Sequence, residues 1–222
     1  AQWVRIREDL DAFCARASAL GFNAVSLDDV THLADHAWYE LETRARISRW
    51  RAEFRRCFDV VRRHGLQIFL TMDVFSSTPA VRGQLTKLRR SVESFLAEKL
   101  DAFMTDFPEV SGVIVRIGES DAKDVQHEFR SELHLKKPEQ VNRFLRTLLP
   151  VFEKHRRKLI FRTWTVGAYR IGDLMWHRGT FASVLKGMED HPALIVSMKY
   201  GESDFFRYLP LNKNFFRTRV RK

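Results

Sequence analysis

The chain has 222 residues, 45% of them hydrophobic and 30% charged, a balance that suits a folded globular domain and excludes a disordered one. No apolar run approaches the roughly 20 residues that a membrane-spanning helix needs, so no membrane partner is expected. Lysine and arginine outnumber aspartate and glutamate by 38 to 28, a net charge of +10. The arginines are spread over helical stretches without a zinc-finger, RNP or helix-turn-helix motif, so no nucleic-acid partner is expected.

In chain order, Val4, Leu10, Phe13, Cys14, Ala17 and Leu20 recur at helical spacing, and Gly21 supplies a C-cap. A short strand over 23–27 follows and ends in Asp28 and Asp29. In the stretch 31–46, His32 and His36 stand four apart, the spacing of one helix face, but no HExxH accompanies them and no metal is expected. Ser48 is positioned to cap a helix whose apolar face is Trp50, Phe54, Cys57, Phe58 and Val61, closed by Gly65. Cys14 and Cys57 lie beside phenylalanines on helix faces and read as two buried thiols, with no CxxC.

A second strand over 67–73 ends in Asp73, followed by a turn-rich loop, VFSSTPA. The apolar positions from Leu85 to Phe103 read as one long amphipathic helix. The strand over 113–117 is apolar on nearly all sides, as in a parallel sheet buried on both faces, and runs into Gly118 and Glu119. A polar loop over 120–137 precedes a helix opened by Pro138. The strand over 158–165 carries Arg162 and Trp164. After a short helix over 181–188, a strand over 193–200 brings Lys199 and Tyr200 to its end, with Asp204 just beyond.

Strands alternating with helices predict an α/β fold with a parallel sheet. The expected architecture is an incomplete (β/α)8 TIM barrel forming one partial domain over 1–222, with the first strand and the last two lying outside the chain. An open parallel sheet is the alternative. Neither GxGxxG nor GxxxxGK[ST] occurs, which argues against nucleotide binding.

In a (β/α) barrel the chemistry sits at the C-terminal ends of the strands. Those ends collect Asp28, Asp29, Asp73, Arg116, Glu119, Arg162, Trp164, Lys199, Tyr200 and Asp204. Carboxylates, cations and aromatic rings on one face suit a sugar. Rings stack on its apolar faces, and a pair of carboxyl groups can protonate the leaving oxygen and activate water. Glu119, at the mouth of an apolar strand, is the candidate acid.

The segments FPEVSGVIVRIGES, LIFRTWTVGAY and HPALIVSMKYGESDFFRYLPLNKNFFRT, in that order, resemble the catalytic barrel of the α-glucuronidases of glycoside hydrolase family 67. The resemblance covers about half of the chain. It implies that Glu119 is the general acid and Asp204 one of two carboxylates that activate water. It further implies that Lys199 contacts a uronic acid carboxylate, with Arg116 and Arg162 at or near the family's other basic positions. The strand of Arg116 departs from the family: the run to Glu119 is one residue shorter and lacks an asparagine. The family's second base falls beyond residue 222. The resulting expectation is a glycosidase acting on an acidic or polyhydroxylated sugar, with Trp164, Tyr200, Asp28 and Asp73 as further substrate contacts and no cofactor. The alternative is a non-catalytic barrel that binds carbohydrate or a polyanion through its basic surface.

Overall fold

The computed structural model of the chain describes residues 2–117, 129–131, 133–163, 171, 174, 178–201, 208, 210–218 and 220–221. Glu119, Trp164 and Asp204 lie outside these residues. The elements run α1 (Gln2–Ala19), β1 (Ala24–Leu27), a 3-10 turn (Val30–His32), α2 (Leu41–Arg63), β2 (Gln67–Asp73), β3 (Ser76–Ser77), α3 (Pro79–Lys87) and α4 (Val92–Asp106). They continue with β4 (Val110–Arg116), β5 (Arg130–Ser131), α5 (Pro138–Lys154), β6 (Lys158–Arg162), α6 (Arg178–Leu185), β7 (Leu194–Ser197) and α7 (Lys213–Arg217).

The five expected strands are present and form one parallel sheet in the order β1-β2-β4-β6-β7. Each strand lies next to the one before it in the sheet, so the order never reverses as it does in a doubly wound fold. With right-handed crossovers throughout, such an order carries every connecting helix to the same side. That is the arrangement of a barrel arc or of an open sheet wound in one sense. The five described strands do not by themselves close a ring. Beyond β7 the pairing continues by one bond, from the Val196 amide to the Arg221 carbonyl at 2.8 Å.

Alternation along the strands separates two faces. Val113, Val115, Leu159, Phe161, Leu194 and Val196 are fully buried in the core shared with the helices. The intervening residues Ile114, Arg116, Ile160, Arg162, Ile195 and Ser197 are only half-buried. The strand that reads as buried on both faces is thus fully covered on one face alone among the described residues. Gly112 of β4 fills a close approach, since a Cβ there would lie 2.3 Å from the Lys158 carbonyl oxygen and 2.7 Å from the Phe69 ring.

Several helix boundaries differ from expectation. α2 begins at Leu41 rather than after Ser48, with Glu40 in extended backbone as its N-cap residue and no side-chain cap bond. The single long helix expected over 85–103 is two helices. Leu88 ends α3, Arg89 takes a left-handed φ of 51°, and the Ser91 hydroxyl accepts from the Ser94 amide to start α4. His32 and His36 do not share a helix face: one ends the 3-10 turn and the other lies in the loop after it. α1 buries only Cys14 and Ala17, and its Val4, Phe13 and the following Leu20 are exposed. The α5 start agrees with expectation, with Pro138 in the first turn and the Gln140 side chain accepting from the Lys136 and Lys137 amides.

Candidate functional site

Sheet register builds a row at the C-terminal strand ends. Asp73 of β2 pairs with Arg116 of β4, Arg116 with Arg162 of β6, and Arg162 with Ser197 of β7. Residues in register project to the same face, so a carboxylate and two guanidinium groups are delivered to one edge of the sheet. β1 ends one layer lower, where the Asp28 carboxylate accepts from the Thr71 hydroxyl of β2.

The centre of the row is a buried charge network. Arg116 Nε lies 2.8 Å from Asp73 Oδ1, and Arg116 Nη2 lies 3.6 Å from Asp29 Oδ2. The Nε–H points off the line to the oxygen, so this contact is a close ion pair rather than an aligned hydrogen bond. Ser131 of β5 donates to the other Asp73 oxygen at 2.7 Å. Asp29 Oδ1 accepts from the Thr31 amide and thereby caps the 3-10 turn. Asp29 and Asp73 are 7% and 4% exposed, so water screens neither charge well. Burial pushes the Asp29 carboxyl above the ordinary carboxylate range, and nearby Asp73 acts in the same direction; the hydrogen bonds from Thr31 and the charge of Arg116 oppose the shift.

The short β3–β5 ladder lies beside this network. Ser76 pairs with Ser131 and Ser77 with Arg130, antiparallel, and Ser76, Ser77, Thr78 and Ser131 are all buried. The VFSSTPA segment, which reads as a loop, is therefore a strand followed by the Thr78 cap of α3. A second charged group stands near the start of α4, where the buried Glu93 faces His134 Nε2 at 3.7 Å and Arg143 Nε at 3.8 Å.

The remaining expected residues lie along the same strand ends. Arg162 and Lys199 are half-buried at β6 and just past β7. The Lys199 carbonyl accepts from the Asn212 side chain at 3.0 Å. Tyr200 is 58% exposed and meets Phe215 and Phe216 edge-on, at 5.7 and 5.9 Å between ring centres. Asp28 is exposed. Asp73 and Arg116 are thus in direct contact, and Arg162 shares their row. Glu119, Asp204 and Trp164 are outside the described residues. Sequence reading missed Thr71, Ser131 and the pairing of Asp29 with Arg116; only the register and the β3–β5 return bring them together. His134, within the stretch expected as a polar loop over 120–137, faces Glu93. Among the described residues, no three His, Cys, Asp or Glu side chains form a metal-binding group. His36 instead faces Glu98 at 3.5 Å, and the His32 ring lies 4.8 Å from that of Trp50.

No protein-family profile matches the chain, and no curated protein matches it. Among solved structures, the chain is similar to a GH138 enzyme targeting pectin rhamnogalacturonan II. The two are 12% identical with a TM-score of 0.52, over 88% of this chain and 22% of that one. It is also similar to an endoglucanase, at 12% identity and a TM-score of 0.48, over 90% of this chain and 58% of that one. The chain thus spans about a fifth of the first structure and under three fifths of the second. Both neighbours are glycoside hydrolases. The likeness to the GH138 enzyme is one of fold, and it does not single out the α-glucuronidases.

Proposed function

We propose that the chain carries the site of a glycoside hydrolase that acts on an acidic or polyhydroxylated sugar by general acid and base catalysis. The observation that supports this reading most is the row Asp73–Arg116–Arg162–Ser197 at the C-terminal ends of a parallel sheet in sequential order, the place where barrels of this type hold their substrates. The fold shared with a GH138 enzyme agrees with it. Glu119, three residues beyond Arg116 in the chain, donates the proton to the leaving oxygen. Asp204 helps to activate water. Arg162 and Lys199 hold anionic or hydroxyl groups of the sugar, Trp164 and Tyr200 present rings to its apolar faces, and Asp28 accepts from hydroxyls. The reaction needs no cofactor, because proton transfer and charge stabilisation suffice.

The test is Glu119→Gln, with hydrolysis of glycosides measured for ordinary and for activated aryl leaving groups. The expected outcome is a loss of kcat of about 10²–10⁴-fold on ordinary glycosides. The loss shrinks markedly on leaving groups that need no protonation. Equal rates for variant and parent on ordinary glycosides would remove Glu119 from the mechanism.

A further inference from the structure

We propose that Arg116 is a positioning residue that locks three strand ends together, and not a contact for the sugar. The assignment deepens the glycosidase reading, and its kinetic part rests on that reading. The sequence alone makes Arg116 an obvious partner for an acidic sugar, because a guanidinium fork matches a carboxylate. In the fold, the guanidinium charge is already paired, through close ion-pair contacts rather than aligned hydrogen bonds. Arg116 is the last residue of β4, and its side chain is 22% exposed. It meets Asp73, the last residue of β2, at 2.8 Å, and Asp29, two residues past the end of β1, at 3.6 Å. Ser131 then ties Asp73 to β5 at 2.7 Å.

One cation thus stands between two buried carboxylates, one at the end of β2 and one just past the end of β1. Turning toward a substrate would leave both in a poorly solvated place without their counter-ion, which is far costlier than breaking a surface pair. Only a planar, extended group can reach both carboxylates at once; a lysine ammonium is a point charge. Arg116 therefore sets the spacing of the β1, β2 and β4 ends.

The experiment has two arms. The first measures thermal unfolding of the full chain as Arg116→Met, Asp73→Asn and the double variant, with Arg116→Lys as the conservative change. The expected result is a loss of about 8 °C or more for Arg116→Met. Adding Asp73→Asn restores at least half of it, because it removes one of the stranded charges. Arg116→Lys falls between parent and Arg116→Met. Additive losses in the double variant, or no loss in Arg116→Met, would overturn the lock. If Arg116→Met does not fold, recovery of folding in the double variant supports it, and failure of both with a normal Arg116→Lys counts against it.

The second arm compares Arg116→Lys with the parent on an aryl glucuronide and on the matching neutral aryl glycoside. A positioning role predicts a fall in kcat of about 10–100-fold on both, with KM within about twofold. A selective rise in KM of about tenfold or more on the glucuronide alone would make Arg116 a substrate contact. If the parent hydrolyses neither compound, the reading that this chain alone cleaves such glycosides fails, while the unfolding cycle still decides whether Arg116 is the lock.

Discussion

Arg116 and Gly112 show how strictly single positions of β4 are specified. Arg116 serves the end of the strand, and Gly112 serves its start, where the chain passes directly beneath Phe69 and beside the Lys158 carbonyl. Gly112→Ala is expected to destabilise the protein by about 3 kcal/mol or more, because backbone on the neighbouring strand blocks the new methyl group and cannot swing aside. Chemical denaturation reads this as a lower midpoint with an unchanged slope. An effect within about 0.5 kcal/mol of zero would mean that β4 and β6 separate easily at this point. Neither role is legible in the sequence. Gly112 falls just before the strand expected over 113–117, and an arginine among aliphatics reads as a ligand-seeking side chain. Register supplies what is missing, by setting Gly112 opposite Lys158 and Arg116 opposite Asp73 and Arg162.

At the scale of elements, helix neighbours are joined by a repeated device. His64, the C-cap of α2, places Nε2 2.8 Å from Asp11 of α1. His155, the C-cap of α5, places Nε2 2.6 Å from Asp101 of α4. His191, after α6, approaches Glu153 of α5 at 3.9 Å. Two of these histidines sit where the helix dipole favours a cation, and each carboxylate belongs to the preceding or adjoining helix. Lys154 and then His155 hold the Asp101 carboxyl below its ordinary value. A carboxylate depressed in the folded state adds stability above its unfolded pKa, about 4, and loses that contribution as pH falls through the folded value. Asp101→Asn should therefore lower the Tm at pH 6 by about 1–3 °C, a modest shift because the pair is partly exposed. At an acidic pH well below about 4 the difference should shrink, as the folded carboxylate takes up its proton. An equal deficit at both pH values would show that Asp101 acts through packing or a neutral hydrogen bond.

For the whole molecule, the core shared by helices and strands is continuous among the described residues, from Cys14 to Val220. Cys14 and Cys57 both belong to buried helix faces, at 0% and 3% exposed, and burial raises both thiols above the ordinary range. Neither is therefore a ready nucleophile. A thiol reagent is expected to label both only as fast as the chain opens, so labelling should accelerate with denaturant in step with unfolding. Rapid labelling of Cys57 under native conditions would show that α2 detaches on its own. The charge of the molecule yields a second expectation. Many of the α2 arginines are paired, Arg44 with Asp35, Arg51 with Asp106 and Arg56 with Glu53. Binding of a neutral oligosaccharide should therefore change little between about 50 and 200 mM salt, whereas a polyanion held by a broad basic surface would lose affinity steeply over that range. The second behaviour would favour the non-catalytic binding barrel.

Sequence by itself determined the α/β class, the five strands and their parallel pairing, because apolar runs separated by amphipathic helices have few other ways to bury themselves. It also determined that Asp73, Arg116, Arg162 and Lys199 come at or beside strand ends, since strand ends are local events marked where an apolar run stops. Helix limits were less legible. Arg89 in a left-handed conformation and the Ser91 cap split one apolar periodicity into two helices, and the capping choice at α2 went to Glu40 rather than Ser48. Only the tertiary structure decided which charges face one another. Asp29 is 87 residues from Arg116 in the chain, and Ser131 is 58 from Asp73. Such contacts depend on strand order and register, which are set by the packing of the whole sheet and not by any local pattern. That is why a side chain that reads as a substrate ligand is found clamped between two buried carboxylates.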